Sequence, residues 1–190
     1  DVLNQFRLNG RYYCAIYEIS FDSLLYYRKS VLEGAGLKDP RTLFENDEWT
    51  WDTFLDMARQ FQQSGDGKYV IEGYNPENEF VVSTGTPIIE NDGTKLINNM
   101  NNANVERVMD LLSTLQKENL RYPLHELNGW SVNPKAWAQG DILFYGNGGT
   151  WEFEGDSGLN KFAQRFGWND DEICVVPYPR DPQADKYYHF

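Results

Sequence analysis

Three glycines stand within four residues in Tyr145-Gly146-Asn147-Gly148-Gly149-Thr150-Trp151, directly after the apolar run Ile142-Leu143-Phe144. A glycine loop behind a strand can wrap a phosphate, because its backbone N–H groups can converge on an anion. The surrounding residues argue against that chemistry. The pattern G-x-x-x-x-G-K-[ST] is absent, Trp151 occupies the last position of G-x-G-x-x-G, the next basic residue is Lys161, and Glu152 and Glu154 follow at once. Carboxylates there would repel a phosphate. Two readings remain. The loop is a tight strand-to-helix turn with Trp151 in the core, or Gly146, Gly148 and Gly149 let the backbone pass close to a ligand while the Trp151 indole stacks on it.

Other chemistry is thinner. Glu77 with Glu79, Glu152 with Glu154, and Asp170 to Glu172 are the acidic groupings. A glycosidase needs two carboxylates set apart across a sugar, and sequence spacing does not establish that. These acids read as solvated charge or as helix N-terminal charge. No G-x-S-x-G is present, and His125 and His189 stand alone, so no catalytic group, metal site or cofactor motif is expected. Asn91-Asp92-Gly93-Thr94 lacks calcium-loop spacing and reads as a hairpin turn. Cys14 and Cys174 lie far apart in apolar runs and read as buried thiols, with a disulfide left open.

The totals narrow the partners. Among 190 residues there are 29 acidic and 17 basic ones, a net charge of -12, and the basic residues are scattered rather than clustered. Nucleic acid and anionic membranes are therefore excluded as partners. No run approaches the roughly 18 apolar residues of a membrane span. Aromatic residues make up 15% of the chain, with 6 Trp, 12 Tyr and 11 Phe. Rings that stack on the C–H faces of pyranoses, beside carboxylates and amides that bond hydroxyls, are what a sugar site uses. The start without Met and the end on Tyr-Tyr-His-Phe read as a piece of a longer protein.

The elements that must carry these residues alternate. Residues 12 to 19 and Leu24 to Tyr27 read as strands, Lys29 to Glu33 as a helical turn ended by Gly34 and Gly36, and Asp39-Pro40 as the start of a loop. Thr50 caps a helix whose Trp51, Phe54, Leu55, Ala58 and Phe61 follow helical spacing up to Ser64-Gly65. Tyr69 to Ile71 read as a short strand, and Phe80-Val81-Val82 as an apolar patch between Pro and Gly breakers. Ile88-Ile89 and Lys95 to Ile97 form a hairpin. A second helix over 104–118 has Val105, Val108, Met109, Leu112 and Leu115 as its buried stripe. Pro134 opens a short helix stopped by Gly140. Asp141 to Tyr145 read as strand, Leu159 to Phe166 as helix, and Ile173 to Val176 as a buried strand. The alternation predicts an α/β fold.

Taken in order, four stretches resemble a known family: "NGRYYCAIYEISFDSLLYYRKSVLEGAGL", "WTWDTFLDMARQF", "WAQGDILFYGNGGTW" and "ICVVPYP". They are similar to the middle of an extracellular solute-binding protein of the carbohydrate-uptake type, the group that includes maltose-binding protein. One departure is Tyr27-Arg28-Lys29, where the family usually has Tyr-Asn-Lys. The resemblance implies two α/β lobes of the type II periplasmic-binding-protein-like fold, each a mixed sheet flanked by helices, with sugar held between them and no catalysis. It implies that residues 1–19 are a strand and hinge segment from the first lobe, 20–186 the second lobe, and 187–190 the return hinge, with the first lobe and C-terminal helices absent. It places a stacking ring at Trp151 with Glu152 beside it, a ligand-facing loop at Tyr74, Asn75, Glu79 and Phe80, and hinge contacts at Ser20, Phe21 and Asp22. The implied partners are a mono- or oligosaccharide and the membrane permease of an ABC transporter. The implied protein is a monomer, lipid-anchored on the outer face of the cell membrane or periplasmic. A glycoside-active enzyme fragment and a stand-alone carbohydrate-binding or adhesion module are the other readings of the same aromatic, acidic composition.

Overall fold

Thr50 starts the helix around which the core is built. Its hydroxyl accepts from the Thr53 amide, and Thr53 Oγ1 accepts from the Thr50 amide at 2.9 Å, which closes a capping box. The helix that follows, Trp51–Gln63, buries Trp51, Phe54, Met57, Ala58 and Phe61 along one stripe. The computed structural model describes residues 6–13, 24–72, 76–123, 134–148 and 170–188. In chain order its elements are β1 (Arg7–Leu8), β2 (Arg11–Tyr12), β3 (Leu24–Arg28), α1 (Lys29–Gly34), α2 (Pro40–Glu45), α3 (Trp51–Gln63), β4 (Tyr69–Glu72) and α4 (Pro76–Val82). There follow β5 (Ile89–Asn91), β6 (Leu96–Asn98), α5 (Ala103–Lys117), α6 (Pro134–Gln139), β7 (Ile142–Gly148), a 3₁₀ turn at Asp170–Glu172, and β8 (Ile173–Pro177).

The central sheet has the order β4-β7-β3-β8. β4 and β7 are parallel, while β3 is antiparallel to both β7 and β8. The sheet is therefore mixed, and helices flank it, as the family resemblance implies. Alternation along β3 and β8 sends their side chains to opposite faces. Leu25, Tyr27, Cys174 and Val176 join the large cluster with Phe54, Phe61, Phe80 and Phe144. Tyr26 turns to a second cluster with Tyr122, Ala136, Trp137, Ile142 and Tyr145. Cys174 is a free, buried thiol; Cys14 lies outside the described residues.

Several expectations need correction. Asp39-Pro40 opens a helix, not a loop: the Asp39 carboxylate accepts from the Arg41 amide, and Pro40 fits the first turn, where its missing N–H is no loss. The stretch after Pro76 is also helical, because Pro is tolerated at a helix start and Phe80 and Val81 bury on one face. In α5, Leu111 takes the place of Met109. At about 100° per residue Val105, Val108, Leu111 and Leu115 share one face, and Met109 falls at its border, 48% exposed. Of the strand expected over 12–19, Tyr12 ends β2 and Tyr13 is in no strand, while 14–19 lie outside the described residues. So does the helix expected over 159–166. The hairpin is present, with Glu90 opposite Ile97.

The segment after β8 crosses the corner between α2 and α3. The Arg180 amide donates to the Trp49 carbonyl and the Trp51 amide to the Arg180 carbonyl, both at 3.0 Å, while the Trp49 indole N–H donates to Pro177. Asp181, 1% exposed, pairs with Arg107. These contacts fix the end of the sheet's edge strand against the core helix.

Candidate functional site

Strand direction brings the candidate residues to one edge. β4 and β7 run parallel, with Glu72 opposite Tyr145. β3 starts where they end, since Leu24 lies opposite both Gly148 of β7 and Pro177 of β8. Leu24, Glu72, Gly148 and Pro177 thus mark one border of the sheet. In sequence, Ser20, Phe21 and Asp22 precede Leu24, Tyr74 and Asn75 follow Glu72, and Trp151 and Glu152 follow Gly148. All seven lie outside the described residues, so what the structure gives is the strand ends they adjoin. Carboxyl ends of parallel strands are where open α/β sheets take their ligands.

Of the expected site residues, Glu79 and Phe80 are described, both on α4. Phe80 has no exposed surface. Its ring packs edge-on to Tyr178 at 5.3 Å and tilted to Phe54 at 5.7 Å. The expectation that it faces a solute is corrected: it is a core residue that seats α4, because a helix over a sheet buries its large apolar side chain. Glu79 is half-buried in the first turn of the same helix. Burial chiefly, and then the charges of Glu79 and Glu77, push the Tyr178 hydroxyl well above the usual tyrosine range, with Arg121 pulling the other way. Tyr178 therefore stays neutral and donates to the Gly146 carbonyl at 2.7 Å.

That bond gives Gly146 a different reason to be glycine. β7 bulges here, with Gly146 and Asn147 spanning the register between Tyr26↔Tyr145 and Leu24↔Gly148. A Cβ on Gly146 would enter the van der Waals shell of the Tyr178 hydroxyl and lie 3.2 Å from Ile71 Cδ1. Its close neighbour is an internal tyrosine, a reason the glycine pattern alone does not contain. Gly148 is the last residue of β7, and Gly149 lies outside the described residues.

Two residues at this edge were missed by the sequence reading. Glu72, 2% exposed, ends β4, and the only available signal was an acid closing the apolar run Tyr69-Val70-Ile71. Arg121, with its side chain 10% exposed, bridges to Ile71 along the outer side of β4 and ion-pairs with Glu77. It sits in a stretch without periodicity, so nothing in the sequence marked it. Both residues are largely buried, so they act on the strand end from within the fold rather than from its surface. Among the described residues no group of three or more His, Cys, Asp or Glu is placed to hold a metal ion.

A mixed, helix-flanked sheet whose parallel strands end at one border fits one lobe of the type II periplasmic-binding-protein architecture that the motifs imply. The family model for bacterial extracellular solute-binding proteins matches residues 1–182, and the chain belongs to that family. This is the family that the order of motifs implies. Its fold is similar to that of the sugar-binding protein MalE from Xanthomonas citri, with a TM-score of 0.67, 17% identity, and coverage of 94% of this chain and 42% of that one. It is similar also to an ABC-transporter-associated binding protein from B. animalis subsp. lactis Bl-04 in complex with β-1,6-galactobiose, with a TM-score of 0.65, 17% identity, and coverage of 97% and 43%. UgpB from Mycobacterium tuberculosis, in complex with glycerophosphocholine, matches at a TM-score of 0.58, 17% identity, and coverage of 96% and 43%. The chain spans less than half the length of these structures. No curated protein sequence matches it. No helix among the described residues is long and apolar enough to cross a membrane.

Proposed function

We propose that this chain is the second, carbohydrate-binding lobe of the substrate-binding protein of an ABC transporter, and that it binds without catalysing. The observation that carries the reading is the shared border of Leu24, Glu72 and Gly148, because three separated stretches of candidate ligand residues adjoin it. Family membership and the fold shared with MalE and with a binding protein in complex with β-1,6-galactobiose support it. In this reading residues 1–19 and 187–190 are hinge segments, 20–186 form the lobe, and a first lobe closes over the sugar. Trp151 is the stacking plate, Glu152, Tyr74, Asn75 and Glu79 bond hydroxyls, and Phe21 and Asp22 act at the hinge. The closed monomer delivers its sugar to the permease, at the outer membrane face by a lipid anchor or in the periplasm.

One lobe alone is a weak binder. Covering about 100 Å² of one aromatic face returns roughly 2.5 kcal/mol, whereas micromolar affinity takes about 8 kcal/mol. The entropy of association widens the gap. Calorimetry with β-1,6-galactobiose, cycloalternan and laminaribiose tests this. The two-lobe protein should bind one of them at micromolar Kd, Trp151→Ala should weaken that at least about tenfold, and the 190 residues alone should bind at about millimolar or weaker. Micromolar binding by the 190 residues alone, or an unchanged Kd on Trp151→Ala, would end the proposal.

A further inference from the structure

Only three residues, 73–75, separate the end of β4 from the start of α4. Both ends of that connection are anchored. β4 is laddered to β7 on one side, with Ile71 opposite Phe144 and Glu72 opposite Tyr145. On its outer side the segment 120–122 adds a further rung: the Val70 amide donates to the Leu120 carbonyl at 2.7 Å and the Tyr122 amide to the Ile71 carbonyl at 3.1 Å. Arg121 sits in the middle of that rung, so its Cα is fixed against the strand. Its guanidinium reaches across to Glu77 in the first turn of α4. The arginine side chain is 10% exposed and the glutamate side chain 36%. Removing the carboxylate from a largely buried guanidinium is costly, so loss of Glu77 should be felt at this turn. Further along α4, Phe80 packs on Tyr178, whose hydroxyl bonds Gly146. That anchor is apolar and holds the middle of the helix; in the first turn Pro76 is buried as well, and the ion pair adds a polar tie across to β4's outer neighbour.

We infer that Arg121 is a positioning residue for ligand binding: its ion pair with Glu77 ties the first turn of α4 to the end of β4 and so holds both ends of the connection that carries Tyr74 and Asn75. This rests on the reading of that border as the ligand edge. Arg121 acts through Glu77 and through the chain, and it need not touch the solute.

Amide hydrogen exchange of the intact chain separates this role from simple stabilisation. Arg121→Met should speed exchange in peptides covering 73–80 at least tenfold while α3 and α5 keep their protection. Glu77→Arg alone should do the same, and Arg121→Glu combined with Glu77→Arg should bring the rates back to within about threefold of the parent by restoring an opposite-charge pair. In the two-lobe protein, Arg121→Met should weaken binding of β-1,6-galactobiose about tenfold if the parent binds it. Exchange over 73–80 within twofold of the parent, uniform acceleration of all peptides, or local acceleration with unchanged sugar affinity would each overturn the inference. If the parent binds no sugar, the carbohydrate reading fails by itself, and the exchange of the charge-reversed pair still decides whether Arg121 holds this edge.

Discussion

Two regions of this chain hold their shape by opposite means. The large face of the sheet is held by burial: Trp49, Phe54, Phe80 and Phe144 are all 0% exposed, and Phe54 lies within 5.7 to 6.1 Å of the other three ring centroids. The β5–β6 hairpin is held by turn chemistry. Two of its three apolar side chains face outward, Ile89 54% and Leu96 65% exposed, while Ile97 is half-buried, and its bend is bonded through Asn91 and Asp92. Burial couples many residues at once and gives one cooperative unit, whereas local side chain-to-backbone bonds can open without disturbing the rest. The contrast separates a rigid platform, whose border carries the candidate site, from a peripheral element.

Phe54→Ala tests the platform most severely. Removing a ring that touches three others leaves a cavity in a close-packed interior and should cost about 3–5 kcal/mol. For a chain of this length that lowers the melting temperature by about 10 °C or more. Calorimetric melting checks it. A loss below about 1 kcal/mol would mean that the large face is not the cooperative unit described.

Gly146→Ala probes the join between platform and site. The added methyl collides with the Tyr178 hydroxyl and disturbs its bond to the Gly146 carbonyl, for an expected cost of about 1–3 kcal/mol. Tyr178→Phe should recover part of that loss in the double variant, because the colliding oxygen is gone. A double-mutant cycle on chemical denaturation measures the coupling. Additive single effects would show that the two residues do not meet as described and would detach the bulge of β7 from α4.

The same contrast decides what could be read from sequence. α3 was legible because Thr50 signals its cap and Trp51, Phe54, Ala58 and Phe61 keep helical spacing. The hairpin was legible because Asp92-Gly93 has turn chemistry of its own. α2 and α4 were hidden, since each is short and begins on a proline that also reads as a breaker. Phe80 looked like a solute-facing ring because aromatic type does not say which face of an unrecognised helix it occupies. Once α4 exists, its core position follows. Tyr178 and Gly146 are 32 residues apart and Arg121 and Glu77 are 44 apart, so neither pairing has any local trace. The border itself left no trace in the sequence, because which strand ends meet is a property of sheet order, and sheet order depends on long-range pairing.

The smallest expected effect is at Asp92, and its smallness is the point. Hydrogen bonds from the Thr94 hydroxyl, then from the Lys95 and Thr94 amides, hold its carboxyl down at about 2. A folded-state pKa below the ordinary value of 3.8 means that its contribution is complete above about pH 4 and is lost as pH falls through about 2. A carbon-detected NMR titration should therefore place the Asp92 midpoint near 2, with the Thr94 and Lys95 amide shifts moving in step. Asp92→Ala should abolish that titration and raise amide exchange at 94 and 95, yet lower the melting temperature by less than about 2 °C, since the bonds it removes are exposed and local. A drop comparable to that of Phe54→Ala would show that the hairpin unfolds together with the aromatic core, and the division between the two regions would then collapse.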